Sequence, residues 1–279
     1  MGAPQAPGRT IRNVGRRPAR INPEVLAERL AKRSIFLCLD YDGTLVPIAP
    51  RPDQATFDDS GRRLLRRLSR WIPIAIVSGR RRATLRQLVG VPSLYYVGNH
   101  GSEISGPGVR FRASLPATWP RELDRLLTTI ESDAPRGVLV ERKGPTASVH
   151  YRLVDPTERR RWLPALRASL VRATAAGHIR LVQGHAVLDL RPPGDWHKGT
   201  AVRWLIGRPR LSASIAVYLG DDATDEDAFR AIRYDGIGVL VGRPRRTAAR
   251  YYLPDTDHVR RFIVSCLSVM TTAKGRPRG

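Results

Sequence analysis

The chain has 279 residues, 42% of them hydrophobic, which suffices for one large or two modest domains, and no apolar run reaches the ~18 residues of a membrane helix. The formal net charge is +23, and only four of the 48 basic residues are lysines. The arginines are spread along the chain without interleaved aromatic residues, and this distribution disfavours nucleic acid as a dedicated partner. The N-terminus lacks the apolar segment of a secretory signal and there are only two cysteines, so we expect a cytoplasmic protein without membrane contact or disulfides.

The two ends of the chain differ from its middle in composition. Residues 1–20 contain five arginines with proline and glycine, and they have no acidic residue and no hydrophobic periodicity. This composition predicts a disordered basic arm. Residues 271–279 have the same character and predict a basic tail. Regular structure is expected to begin with a helix at Asn22-Pro23, which is a helix-start signal.

Residues 21–111 alternate between short apolar runs and amphipathic segments. Such alternation is typical of a doubly wound, Rossmann-like parallel sheet with helices on both faces. The predicted strands cover 35–39, 73–77 and 94–97, and the predicted helices between them lie around 64–68 and over 83–89.

The pattern changes over residues 112–190, where helices and strands occur in the order α-β-β-α-β-β. This order predicts an inserted α+β cap domain with its own antiparallel sheet, lying over the strand ends of the core. The predicted helices cover 119–132 and 156–174, and the predicted strands cover 137–142, 146–152, 178–183 and 186–190.

After a Pro-Pro-Gly hinge, the first pattern resumes over residues 191–270. The fold class predicted for the whole chain is therefore α/β, with one core made of residues 21–111 and 191–270 and interrupted by the cap. The predicted elements of this second part are helices at 197–206, 225–232 and 259–270 and strands at 215–219 and 237–241.

The first apolar strand ends in two carboxylates separated by one residue, Asp40 and Asp42. Ligands of open α/β sheets bind beyond the carboxyl ends of the strands, so both acids are expected where this fold does chemistry. Asp40 could attack phosphorus and form an aspartyl-phosphate, while Asp42 could protonate the leaving oxygen and later activate water. Two acids would repel a phosphate dianion, so a hard cation such as Mg²⁺ is needed between them. The alternative is a solvated Asp-x-Asp-Gly turn.

Two further segments carry groups that could hold a phosphoryl group. The Ser78 hydroxyl follows the second core strand, and Gly79 permits close backbone approach. Arg80 could pair with substrate oxygens or cover the surface. Lys198 begins the first helix after the hinge, where an ammonium would stabilise charge on the phosphoryl oxygens and offset the repulsion from Asp40. The alternative for Ser78 and Gly79 is an ordinary turn, and the alternative for Lys198 is a solvated surface lysine.

Five acidic residues occur within the seven positions 221–227, directly after a predicted strand. In a chain of net charge +23, such a cluster predicts compensation by a cation. Asp221, nearest the strand end, is expected to complete the Mg²⁺ ligands with Asp40 and Asp42. Asp225 could hold a metal-bound water, or it could cap the following helix.

The predicted cap brings unlike polar groups to one sheet face. Glu141 and Lys143 alternate on one strand of a hairpin, and His150 and Arg152 alternate on the next. Such a patch offers the mixed donors and acceptors that sugar hydroxyls need. The alternative is a solvated face with cross-strand ion pairs.

With these segments in order, residues 34–265 resemble the haloacid dehalogenase-like (HAD) phosphohydrolases and, more closely, the trehalose-6-phosphate phosphatase family. The resemblance implies Mg²⁺-dependent hydrolysis of trehalose 6-phosphate, with Asp40 as nucleophile and Asp42 as acid and base. The matching motifs are Asp40-Tyr-Asp-Gly-Thr-Leu45, Ser78-Gly-Arg80, Gly98-Asn-His-Gly101, Glu141-Arg-Lys-Gly144, His150-Tyr-Arg152, Lys198-Gly199 and Gly220-Asp-Asp-Ala-Thr-Asp-Glu-Asp-Ala-Phe229.

The resemblance also bears on Asp189, which lies outside these motifs, and on Asn99 and His100, which lie within Gly98-Asn-His-Gly101. Asp189 stands where the family usually has Glu, and its shorter side chain leaves open either its contact with the sugar or the identity of the sugar. Asn99 and His100 could line the entrance of the site, while an ordinary loop histidine is an equal alternative.

Two other functions stay open at this point. One is a phosphatase for another sugar phosphate, such as sucrose 6-phosphate or a glucosyl- or mannosyl-phosphoglycerate. The other is a nucleic-acid-binding protein that uses its basic arms and keeps the HAD core as a scaffold. The sequence does not reveal the oligomeric state, and we expect a monomer. The expected binding partner is a small sugar-phosphate substrate.

Overall fold

The computed structural model describes residues 16–184, 186–194 and 196–274. The strands are β1 (Ala19–Arg20), β2 (Ile35–Asp40), β3 (Ile74–Val77), β4 (Tyr95–Gly98), β5 (Glu103–Gly106), β6 (Val109–Arg112), β7 (Leu139–Arg142), β8 (Ala147–His150), β9 (Arg180–Gly184), β10 (Val187–Arg191), β11 (Ile215–Gly220), β12 (Ile237–Val241) and β13 (Tyr251–Leu253). The helices are α1 (Pro23–Leu30), α2 (Asp59–Leu68), α3 (Arg82–Val89), α4 (Trp119–Ser132), α5 (Pro156–Ala175), α6 (Lys198–Ile206), α7 (Glu226–Ile232) and α8 (Thr256–Lys274).

The larger sheet has nine strands in the order β1-β13-β12-β11-β2-β3-β4-β5-β6. The strands from β1 to β4 in this order are parallel, and only the β5–β6 hairpin adds antiparallel pairs at one edge. This arrangement confirms the α/β, doubly wound class, with a mixed sheet rather than a wholly parallel one. Because β11, β2 and β3 are neighbours, the residues that follow them meet at one edge of the sheet.

The central strand β2 shows why the sheet needs helices on both faces. All six of its residues are buried, and the side chains of its five apolar residues alternate between two hydrophobic clusters. Leu37 and Leu39 pack on the side of α1, α2, α3 and α8, whereas Phe36 and Cys38 pack on the side of α6 and α7. Each such side chain contributes roughly 1.5–3 kcal/mol by leaving water. Both cysteines are buried and free.

A second, four-stranded sheet lies between β6 and α6 in the chain, with strand order β7-β8-β10-β9 and all pairs antiparallel. Helices α4 and α5 cover one of its faces, where Trp119, Leu123 and Leu127 recur at helical spacing and join the strand residues in a third cluster. Register places Ser148 between Glu141 and Asp189 on neighbouring strands. The face opposite the helices therefore carries polar side chains.

The structure corrects the expectation for both ends of the chain. Residues 16–20 are not disordered: Ala19 and Arg20 form β1, which pairs in parallel with β13, and Arg16 bridges to Thr247. Residues 271–274 continue α8 instead of starting a tail. A two-residue strand and a helix extension depend on neighbours distant in sequence, so composition could not reveal them. The other expected arm and tail residues, 1–15 and 275–279, lie outside the described ranges.

No helix within the described ranges combines the length and the apolar character that crossing a bilayer requires.

Candidate active site

Three of the expected site residues stand at the ends of adjacent parallel strands. Asp40 is the last residue of β2, Ser78 follows β3, and Asp221 follows β11. Asp40 and Ser78 are buried, so their side chains are held by the surrounding core. The sheet therefore brings together residues that lie up to 181 positions apart in the chain.

An acidic group forms at this edge. One carboxylate oxygen each from Asp40, Asp221 and Asp225 lies within 4.8 Å of the others. Burial, with the charges of Asp225 and Asp222, raises the pKa of Asp221 to about 8, and burial also raises the pKa of Asp40. Oδ1 of Asp221 is buried and has no hydrogen-bond partner among the described residues. A cation would fit this group because it would supply that missing partner and lower the mutual repulsion.

Gly43 makes room for this arrangement. Its φ of 83° lies in the left-handed region that favours glycine. A Cβ atom at this position would lie 2.2 Å from Oδ2 of Asp221. The turn after β2 can therefore approach the Asp221 carboxylate only because residue 43 has no side chain.

Lys198 is the buried counter-charge of the acidic group. Its Nζ donates hydrogen bonds to Oδ1 of Asp40 and to Oδ1 of Asp225, each at 2.7 Å. Burial alone would lower the pKa of Lys198, but Asp225 and Asp40 outweigh it and raise the pKa, so the side chain stays an ammonium. Lys198 opens α6, whose N-terminus is capped by Nδ1 of His197, which accepts from the backbone N–H groups of residues 199 and 200.

Tyr218 is a site residue that the sequence reasoning missed. Its hydroxyl donates a 2.7 Å hydrogen bond to Oδ1 of Asp225, while the backbone N–H of Asp222 donates to Oδ2 of Asp225 at 3.0 Å. Asp225 therefore belongs to the acidic group, but its carboxylate does not cap the following helix α7, which was the alternative role; it accepts from the N–H of Asp222 in the turn after β11 instead. The available signal was one hydroxyl in the otherwise aliphatic run 215–219, three positions before Asp221.

Tyr218→Phe is expected to destabilise the fold by about 1.5–3 kcal/mol, because it removes a buried hydrogen bond to a charged carboxylate and leaves the packing intact. Urea unfolding of the variant and the parent protein measures this difference. Tyr234→Phe is the matched control, since Tyr234 is 87% exposed and its change should lie within about 0.5 kcal/mol. Equal stabilities for the two variants would contradict the role of the Tyr218 hydroxyl.

Asp42 does not join the acidic group, contrary to its expected part as a metal ligand through its carboxylate. Its two oxygens accept hydrogen bonds from Nε of Arg80 at 2.8 Å and from Nη2 of Arg80 at 2.6 Å. The planar guanidinium matches a carboxylate in this two-point geometry. The guanidinium carbon of Arg80 also lies 5.3 Å from the centre of the Tyr41 ring. Arg80 therefore sets the position of Asp42 in the cleft.

Three of the four expected hairpin residues come together on the polar face of the smaller sheet. Oε2 of Glu141 lies 3.4 Å from Nζ of Lys143 and 3.0 Å from Nε2 of His150. Burial would raise the pKa of Glu141, but the hydrogen bond with His150 and the charge of Lys143 lower it to about 2. Arg152 departs from the group, because its Nη1 donates to the backbone oxygen of Ala49 in the loop after β2, at 2.8 Å.

Asp189 is engaged by protein groups rather than left free. Its carboxylate accepts from the Ser148 hydroxyl, and Nη2 of Arg191 lies 3.4 Å from it. Ser148 in turn accepts from Nζ of Lys143 at 2.7 Å. Sequence reasoning missed Ser148 and Arg191, although Ser148 shares the strand face of His150, two positions on.

Asn99 and His100 occupy the turn after β4. Oδ1 of Asn99 accepts from the Thr146 hydroxyl at 3.2 Å, so this turn of the larger sheet contacts the smaller one. His100 is buried beside Asp189, with Nε2 of His100 3.1 Å from Oδ2 of Asp189.

A cleft lies between the two sheets. All the expected site residues line it except Asn99 and Asp225. One wall carries the buried nucleophile candidate and the ammonium, and the other carries the polar face with Glu141, Lys143 and His150. Charged groups suited to a phosphate thus face groups suited to hydroxyls across one cavity.

Comparisons with known proteins agree with this geometry. The trehalose-phosphatase family model matches residues 38–257. A probable trehalose-phosphate phosphatase of Oryza sativa subsp. japonica is 37% identical over 254 residues, which cover 86% of this chain and 68% of that protein. The solved C-terminal domain of the trehalose-6-phosphate phosphatase of C. albicans is 26% identical, with a TM-score of 0.81, over 91% of this chain and 99% of that one.

The fold, with a central strand that ends in a buried aspartate facing a lysine and an acidic turn from later in the chain, is of the HAD-like class. A phosphatase of that superfamily from Bacteroides thetaiotaomicron shares the fold at 17% identity, with a TM-score of 0.57 over 85% of this chain and 96% of that one. Within the class, the match over residues 38–257 shows that this chain belongs to the trehalose-phosphatase family.

Proposed function

We propose that this protein hydrolyses trehalose 6-phosphate to trehalose and inorganic phosphate. The observation that carries the proposal is the cleft, in which Asp40 and Lys198 lie opposite Glu141, Lys143 and His150. A phosphate can bind at the first wall while sugar hydroxyls bind at the second. The names of relatives that share over a third of the sequence support trehalose 6-phosphate over other sugar phosphates.

The proposed chemistry proceeds in two steps. A carboxylate oxygen of Asp40 attacks phosphorus in line with the leaving oxygen, the bond from phosphorus to the sugar oxygen breaks, and Asp42 gives that oxygen a proton. Asp42 then takes a proton from water as the water oxygen attacks phosphorus, and the bond to Asp40 breaks and releases phosphate. Lys198 offsets the negative charge of Asp40 and the phosphoryl oxygens throughout.

Two further groups prepare the reaction. Ser78 would donate its hydroxyl to a phosphoryl oxygen, with Gly79 allowing the close approach. Arg80 holds Asp42 by two hydrogen bonds, so that the acid stands in the cleft beside Asp40. The position of Asp42 in the cleft thus depends on Arg80, which belongs to the Ser78–Arg80 segment after β3, called the phosphate loop below.

The acidic group is proposed to hold Mg²⁺. Asp40 and Asp221 would be its carboxylate ligands, and the partnerless Oδ1 of Asp221 is the observation that favours this. Asp225, whose oxygens already accept from Lys198, Tyr218 and the backbone, would support the site from behind. A bound Mg²⁺ would supply positive charge for the phosphoryl oxygens.

Residues 112–190 are proposed to act as a cap over the core made of residues 21–111 and 191–270. The polar face of the smaller sheet already closes one side of the cleft, through Glu141, Lys143 and His150. Covering the reacting phosphate excludes water and strengthens the electrostatic interactions inside the site.

A substrate panel with a metal control tests the proposal. Phosphate release from trehalose 6-phosphate is expected to be at least about tenfold faster than from sucrose 6-phosphate or glucosyl-phosphoglycerate, a factor worth about 1.4 kcal/mol of transition-state binding. Chelation with EDTA should remove at least about 99% of the rate, and added Mg²⁺ should restore it. If another sugar phosphate released phosphate faster, that compound would take the place of trehalose 6-phosphate as the proposed substrate. Salt-sensitive DNA binding without phosphate release would overturn the enzymatic proposal.

A further inference from the structure

His100 joins the phosphate loop to the cap. It lies in a turn whose backbone is tied to the Ser78–Arg80 segment: the N–H of Asn99 donates to the oxygen of Arg80 at 2.7 Å, and the N–H of His100 donates to the oxygen of Ser78 at 3.1 Å. The His100 ring covers Gly79, where a Cβ atom would lie 2.3 Å from the ring carbon Cε1. His100 itself has a φ of 55°, a conformation uncommon outside glycine.

The nitrogens of the same ring face β10 of the cap. Nδ1 accepts a 2.6 Å hydrogen bond from Nη2 of Arg191, and Nε2 lies 3.1 Å from Oδ2 of Asp189. Because a guanidinium can only donate, Nδ1 carries no proton, and the single ring proton lies on Nε2, towards Asp189. Nδ1 is therefore committed to the cap, while Nε2 is buried against Asp189 and makes no hydrogen bond of good geometry with a described residue.

We propose that His100 is a positioning residue that docks the cap on the phosphate loop, and that docking requires its neutral ring. This inference rests on the proposed phosphatase function, in which groups of the cap and of the phosphate loop act on one substrate. A doubly protonated ring would place a proton on Nδ1 against Arg191, where donor would meet donor. Docking and protonation of His100 therefore exclude one another.

The net effect of burial and of the charges around the His100 ring also favours its neutral form. The described titratable groups that face it are Arg191 and Asp189 of β10 and Lys143 at the end of β7. Burial and then Arg191 lower the pKa of His100 to about 3, from an ordinary value of 6.5, and Lys143 adds to this while Asp189 opposes it. The lowered pKa means that docking is favoured at high pH and weakens as the pH falls below 6.5.

The size of the effect follows from the undocked ring. With an ordinary pKa near 6.5, that ring is roughly one-tenth protonated at pH 7.5 and roughly nine-tenths protonated at pH 5.5. The ratio of docked to undocked protein therefore falls by up to about tenfold over this range. KM should carry the change, since docking brings the sugar-binding face of the cap to the phosphate.

The first test compares pH profiles. His100→Asn keeps one acceptor for Arg191 and one donor for Asp189, tolerates the left-handed backbone, and cannot be protonated. At pH 7.5 we expect the KM of His100→Asn to be a few fold higher than that of the parent. At pH 5.5 the ratio of variant KM to parent KM should be lower by up to about tenfold, since every other titrating group is common to both proteins. His258→Asn, on α8, is the control and should keep the profile of the parent.

The second test does not need turnover. Small-angle X-ray scattering is expected to give the parent a larger radius of gyration at pH 5.5 than at pH 7.5, because an undocked cap moves away from the core, and to give His100→Asn no such increase. This result would support docking by His100 even if none of the sugar phosphates released phosphate. Equal pH dependence of the radius of gyration in the parent and in His100→Asn would overturn the proposal, as would equal pH dependence of their KM values.

Discussion

Asp40→Asn is expected to reduce phosphate release by at least about 10³-fold, because an amide cannot form the covalent bond to phosphorus. The amide oxygen can still accept the hydrogen bond from Lys198, and the substitution removes one of three mutually repelling carboxyl groups. The free energy of unfolding should therefore be equal to or higher than that of the parent. Single-turnover phosphate release and urea unfolding measure the two quantities.

The matched control for this substitution is Asp53→Asn, since the Asp53 side chain is 68% exposed and its ion pair among the described residues is a surface one with Arg51. It should leave both the rate and the stability unchanged. If Asp40→Asn kept more than about 1% of the rate, Asp40 would not be the nucleophile.

Lys198→Met is expected to reduce turnover by at least about 10²-fold and to destabilise the fold by about 3–5 kcal/mol in the absence of divalent cations. Met has a similar length but no charge, so Asp40 and Asp225 would stay buried without the ammonium that they share. Kinetics under saturating substrate and urea unfolding in EDTA are the measurements.

Lys32→Met provides the comparison, because Lys32 is exposed and the same chemical change there removes no buried pair. Its stability should stay within about 0.5 kcal/mol of the parent value. A Lys198→Met protein as stable as Lys32→Met would show that the acidic group does not depend on the ammonium.

Much of the core could be predicted from sequence because its signals are local. Continuous apolar runs mark strands that are buried on both faces, and the residue after each run must lie at the same edge of a parallel sheet. That rule alone placed Asp40, Ser78 and Asp221 near one another, as the structure does. The element order of the smaller sheet was also recognisable, since its helices have long amphipathic patterns.

The remaining features depend on partners far away in the chain. The β5–β6 hairpin and strands β1 and β13 are short, and they exist because an edge of the sheet accepts them. Side-chain pairing is equally non-local: Arg80 takes the Asp42 carboxylate out of the acidic group, and Ser148 connects Lys143 to Asp189. Periodicity shows which face a residue occupies, but not which neighbour it contacts.

The position of β2 has a consequence for synthesis of the chain. One edge of β2 pairs with β3 soon after both are made, but the other edge pairs with β11, whose residues 215–219 are translated some 180 positions later. At ribosomal rates this delay is about 10–35 s. During that time a strand whose first five residues are apolar presents unpaired amide and carbonyl groups, which is an aggregation hazard. Newly made chains are therefore expected to need chaperone protection until the second part of the core has emerged.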